Sequence, residues 1–119
     1  MTAQDYLDGQ LILIDKPYGW TSFDVVKKIR WQLLRQFGFK KLKVGHAGTL
    51  DPLASGLLII CTGKFTKRID EVQAKPKTYT GTMVLGATTP SYDLETTIDK
   101  TYPTEHLTEE KIKEATAQF

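Results

Sequence analysis

The hydrophobic pattern opens with an unbroken aliphatic run, Leu11-Ile12-Leu13-Ile14, closed at Asp15. A run this short, ended by a turn signal, predicts a buried strand. Lys16-Pro17-Tyr18-Gly19-Trp20 is the turn, punctuated by proline and glycine. From Ser22 the period changes. Phe23, Val26, Ile29, Leu33 and Phe37 recur at helical spacing, with Lys27, Lys28, Arg30 and Arg35 mostly on other faces. Ser22 is expected to cap this helix, Asp24 places negative charge in its first turn, and Gly38 stops it. Residues 43–56 show neither period; glycines, a proline and small side chains predict a loop. Leu57–Cys61 predicts a second buried strand, and Gly63–Ala74 a helix with Lys64, Lys67 and Arg68 on one side. Lys77 to Leu85 alternates, with Tyr79, Gly81, Met83 and Leu85 facing one way, and predicts a third strand. Residues 86–96 are turn-rich, Thr97–Tyr102 reads as one more short strand, and Thr108 caps a final helix. The elements predict an α+β or mixed-sheet architecture. The helical pattern still runs at Phe119, so residues 1–119 are expected to be the N-terminal portion of a larger domain.

Composition narrows the classes. The chain has 119 residues, 40% hydrophobic and 25% charged, ordinary for one globular domain and unlike a disordered tail. The opening aliphatic run is too short for a membrane span or a signal-peptide core. The single cysteine, Cys61, excludes a disulfide framework and a structural zinc site, and the expected compartment is the reducing cytoplasm. The net charge of +2 hides an asymmetry: residues 1–77 hold 13 Lys/Arg against 7 Asp/Glu, and residues 78–119 hold 3 against 7. Lys27, Lys28, Arg30, Arg35, Lys40, Lys41 and Lys43 follow one another with no acidic residue between them. Such a block is either the footprint of a polyanion site or a solvated helix face.

Asp51 is the candidate reactive group. An Asp before Pro commonly forms an Asx-turn or a cap. Here, however, it ends a long glycine-bearing stretch that abuts a fully apolar strand, with His46 upstream and the basic block leading into it. Rigidly based loops are where catalytic groups tend to sit.

Three motifs sharpen this reading. Residues 45–56, GHAGTLDPLASG, closely resemble the catalytic signature of the TruB family, tRNA pseudouridine synthases that act on the T-loop uridine at position 55. Residues 15–24, DKPYGWTSFD, resemble the family's first motif, and residues 77–86, KTYTGTMVLG, its tyrosine-bearing third. The resemblance implies a pseudouridine synthase catalytic domain: α+β, with a mixed, mainly antiparallel sheet and flanking helices. It implies that Asp51 is the essential carboxylate and Tyr79 the ring stacked on the target base. It places His46 against the RNA and makes Lys16 and Pro17 supports of the loop formed by Gly45, Gly48, Thr49 and Leu50. Asp93 matches an acidic position that contacts RNA or orders the turn. Whether Asp51 acts as nucleophile or base stays open. Isomerisation adds no group and needs no redox step, so no cofactor and no metal are expected. The expected partner is the tRNA T-arm, with no membrane, and the full-length enzyme is expected to be monomeric.

Two departures are mild: Ala47 and Ser55 stand where many members carry threonine. The larger departure is that the family's later motifs supply an arginine for the aspartate, a second aromatic and an apolar wall to the base pocket. The chain alone is therefore expected to be inactive. The competing readings are a non-catalytic RNA-binding module and the guide-RNA-dependent branch of the same superfamily; DPLASG and KTYTGTMVLG look more like the stand-alone branch.

Overall fold

β1 (Leu11–Lys16) has one face turned inward, and the computed structural model, which describes residues 1–119, shows what covers it. β1 pairs antiparallel with β3 (Gly56–Thr62), from Leu11 opposite Cys61 to Lys16 opposite Gly56. The other side of β3 takes β2 (Val44–His46), from Val44 opposite Thr62 to His46 opposite Ile60, so the sheet order is β1-β3-β2. Residues directly opposite share a face. Ile12, Ile14 and Lys16 therefore lie with Leu58 and Ile60, against α2 (Ser22–Phe37). Val25, Val26, Leu58 and Ile60 are each at most 4% exposed, with Ile12, Ile14, Ile29, Val44 and Leu50 packed around them. Each such side chain contributes about 1.5–3 kcal/mol on burial. This cluster is what holds the helix on the sheet.

Several expectations need correction. Thr21, not Ser22, caps α2: its hydroxyl accepts from the Asp24 N–H at 3.0 Å, and the Asp24 carboxylate accepts from the Thr21 N–H at 3.0 Å. That reciprocal pair is a capping box, legible as Thr21-Ser22-Phe23-Asp24. The two Thr21 bonds, backbone first, hold the Asp24 carboxyl below its ordinary range. Its support is thus in full above the usual carboxylate pKa and is lost as pH falls through the lowered value. The inward stripe of α2 is Val25, Val26, Ile29 and Leu33, while Phe23 is 57% exposed. At about 100° per residue, Phe23 falls roughly 100° from the centre of that stripe. The expected helix over Gly63–Ala74 is a 3₁₀ helix, Gly63–Arg68, followed by α3 (Ile69–Gln73). A short helix, α1 (Ala3–Asp8), precedes β1 and is closed by its own capping box between Thr2 and Asp5.

These elements make up one unit, Met1–Lys77; the second is Thr78–Phe119. The strand expected over Lys77–Leu85 does not form, because alternation only sets which side chains share a face, and a strand also needs a neighbouring edge to pair with. Instead β4 (Ala87–Thr88), from the stretch read as turns, pairs antiparallel with β5 (Lys100–Thr101), the reduced form of the strand expected at Thr97–Tyr102. The final helix is α4 (Glu109–Thr116), capped as expected by Thr108, whose hydroxyl accepts from the Lys111 N–H at 3.2 Å. Every strand pairing is antiparallel, and the fold is α+β. No helix is long and apolar enough to cross a membrane.

Candidate functional site

The stretch read as one long loop begins as a strand. Gly45 and His46 lie on β2, and the Ala47 N–H continues the ladder by donating to the Ile59 carbonyl at 2.8 Å. The loop proper joins the two legs of this hairpin. Gly48 turns it at φ +96°, a conformation that favours glycine. His46 Nδ1 lies 2.9 Å from the Gly48 carbonyl. A carbonyl only accepts, so Nδ1 carries the proton in this contact, and Nε2 is left without a partner in the chain.

The residues flanking Asp51 are tied on both sides. The Leu50 N–H donates to Ser22 Oγ, and the Ser22 hydroxyl donates back to the Leu50 carbonyl, both at 2.9 Å. The Pro52 carbonyl accepts from the Gly19 N–H at 2.8 Å. Gly19 can present that N–H because it sits at φ +87° in the third position of a turn closed by Trp20 N–H donating to the Pro17 carbonyl at 3.4 Å, a type II arrangement. Behind the turn lies Lys16, fully buried at 0% exposure, whose ammonium donates to the Pro17 and Trp20 carbonyls at 3.0 and 2.5 Å. A lysine is buried like this only when its donors are used.

Asp51 itself is exposed, and its carboxylate takes part in no hydrogen bond or ion pair within the chain. Only its carbonyl is engaged, accepting from the Ala54 N–H at 2.9 Å. The side chain is thus neither an Asx-turn nor a cap. It is a free carboxylate on a backbone clamped at both neighbours. Thr49 is exposed beside it.

Ser22 is the residue that pattern reading misses, since a serine at a helix start reads as a cap. Ser22→Ala should remove both Leu50 bonds. At roughly 1 kcal/mol per neutral bond, and more for a donor left unsatisfied, the intact protein should lose about 1–3 kcal/mol. Thermal melting measures this, and an unchanged midpoint would show that the tie contributes nothing.

Of the remaining candidates, Tyr79 and Asp93 belong to the second unit. Tyr79 is 67% exposed on a segment in no helix or strand, so its ring is not core packing. The Asp93 carboxylate accepts from the Ser91 hydroxyl at 2.7 Å and the Glu95 N–H at 2.9 Å. Those bonds, the Ser91 bond foremost, hold its carboxyl below the ordinary range and order the turn. Cys61 is buried on β3, which pushes its thiol pKa up and fits a packing role.

On α2 the block's Lys27, Lys28 and Arg35 are exposed, and Arg30 is half-buried. Lys28 and Arg35 stack on Trp31 from opposite sides in sequence, 5.3 and 5.1 Å from its ring centre, and Lys27 lies 5.8 Å from Phe23. None of the block's cations is in an ion pair; the chain's three pairs involve Lys64, Arg68 and Lys113.

The loop holds one free carboxylate, and the same unit carries a block of unpaired cations, a combination that suits chemistry on a polyanion. Residues 35–119 match the model of the TruB family pseudouridylate synthase N-terminal domain, and the chain belongs to that family. Among similar proteins, the tRNA pseudouridine synthase B of Flavobacterium johnsoniae is 61% identical over all of this chain and 52% of its own length. That of Phocaeicola vulgatus is 59% identical over 97% of the chain and 49% of its own length. That of Chloroherpeton thalassium is 54% identical over 94% and 46%. The chain spans about half the length of these curated relatives.

Proposed function

We propose that the protein isomerises uridine to pseudouridine in the T-loop of tRNA, at position 55, with Asp51 as its essential carboxylate. The observation that carries this reading is the Asp51 side chain, unspent in the fold while Leu50 and Pro52 on either side are tied down. The reaction breaks the bond between N1 of uracil and C1′ of the ribose, turns the base, and joins C5 to the same carbon; C5 then gives up its proton and N1 takes one up, so atoms balance. Positive charge develops on the sugar as the first bond breaks. A carboxylate held in place can stabilise or trap that charge without reorganising. A uridine must leave its stack first, and the exposed Tyr79 ring suits a flipped base. The free Nε2 of His46, at the base of the same loop, suits a contact to the RNA. The setting is cytoplasmic, the protein is a monomer when whole, and no cofactor or metal takes part.

The test is to incubate the intact protein with unmodified tRNA transcript and map pseudouridine by carbodiimide adducts and primer extension. Product at the T-loop uridine is expected. Binding without product would point instead to a non-catalytic RNA-binding module, and product elsewhere would move the substrate site. In the same assay Tyr79→Leu should slow single turnover by the loss of about 1–3 kcal/mol of base stacking, roughly five- to 150-fold. Its melting temperature should stay that of the parent, because the ring packs in no core. Normal turnover would remove Tyr79 from the site.

A further inference from the structure

Four cations converge where the second half of α2, the segment after it and the edge of β2 meet. Arg30, Lys40, Lys41 and Lys43 line a groove of about 580 Å³ that no acidic residue enters. Arg30 comes from the helix and the three lysines from the segment that leads into β2, so the four charges come from two directions rather than from one helix face. None is neutralised by an ion pair.

The strand edge adds donors. β2 pairs only with β3, so its other edge is open. In an antiparallel ladder alternate residues turn their backbone groups to the partner. The Lys43 carbonyl accepts from Gly63 and the Ala47 N–H donates to Ile59, so Lys43, Gly45 and Ala47 face β3. Val44 and His46 therefore point their N–H groups out of the sheet, Val44 at the groove and His46 at the start of the loop that carries Asp51. Lysines on an edge strand can serve only to discourage strand pairing. That role would not explain the helix-borne Arg30 or the concave site.

We propose that this groove is a phosphodiester track. It would hold the RNA backbone outside the target nucleotide and lead it along the β2 edge toward His46. The inference rests on the reading of tRNA as substrate and adds the surface that positions it. Phosphate contacts of this kind carry register and affinity rather than chemistry. They release counterions, so they show in the salt dependence of binding.

The experiment compares intact parent protein with K40Q/K41Q, and with K64Q/K75Q as a charge-matched pair outside the groove. Unmodified tRNA is titrated at several salt concentrations, and turnover is followed in parallel. The K40Q/K41Q variant should lower the slope of log K against log salt by about 0.7–0.9 for each phosphate that is no longer neutralised. It should raise KM about tenfold or more at low salt while leaving kcat near the parent's. Its fold is secure because both side chains are exposed, and melting checks that. The K64Q/K75Q pair should keep the parent's slope. If K40Q/K41Q keeps the parent's slope and KM while the parent makes product, the track is overturned and the enzymatic reading stands. An equal loss in K64Q/K75Q also overturns it, as an effect of net charge alone. If the parent binds tRNA, makes no product, and still loses slope in K40Q/K41Q, the track stands and the enzymatic reading falls.

Discussion

Asp51→Asn in the intact protein should abolish pseudouridine formation while leaving tRNA affinity within a few-fold and melting unchanged. In the fold the side chain does nothing: its carboxylate holds no bond, and only its carbonyl closes the turn to Ala54. Asparagine has the same shape and keeps that carbonyl, so neither the loop nor its ties to Ser22 and Gly19 should move. What is lost is a full negative charge, which in the proposed reaction is needed only where positive charge develops on the sugar. A group that acts on the transition state and not on ground-state binding lowers kcat and kcat/KM together and spares affinity. Product mapping, filter binding and a melting curve make the three comparisons. A variant that still turned over normally would show that the Asp51 carboxylate is not the essential group.

The largest effect on stability should come from Lys16→Met. Methionine has similar length and fills the same space, so the change isolates the ammonium. Lys16 is fully buried and holds the Pro17 and Trp20 carbonyls. Bonds to a charged donor contribute about 1.5–3 kcal/mol each, and two carbonyls would be left without a donor. Relief from burying a charge offsets part of that loss. We expect a net destabilisation of about 2–4 kcal/mol, a drop of about 10 °C or more in a unit of this size. Turnover should fall as well, because the turn that Lys16 braces presents the Gly19 N–H to Pro52. Melting and single-turnover rates measure both. A variant as stable as the parent would show that desolvation of the ammonium cancels its bonds.

The sequence reveals an element where a local pattern and its burial coincide. β1, α2 and β3 are legible because their apolar positions repeat at a strand or helix period and pack in one cluster. The inward face of α2 is not, because Phe23 joins the apolar count while lying off the stripe that meets the sheet. β2 is three residues long with a glycine at its centre, too short to show a period. The alternation at Lys77–Leu85 is real but finds no edge to pair with. At the site, Asp51, His46 and the first motif are reached through motif likeness, whereas the physics that holds them stays hidden. Ser22 and Leu50 are 28 residues apart, and no local pattern announces a bond between a helix start and a loop carbonyl.

The antiparallel hairpin also sets an order of assembly. β2 and β3 meet across a short connection, His46 to Ile60, whereas β1 must reach β3 across one roughly threefold longer, Lys16 to Gly56. Chain-closure entropy grows only with the logarithm of length, so the hairpin is favoured by about 1 kcal/mol. It should form first, with the segment bearing Asp51 still slack between its legs. β1 and α2 are synthesised earlier but dock later, and their arrival makes the Gly19–Pro52 and Ser22–Leu50 contacts. The loop bearing Asp51 would thus take its final shape as one of the last events of folding. A molecule stalled one step short would keep its hairpin and lack a rigid site, so activity should return after secondary structure does on refolding.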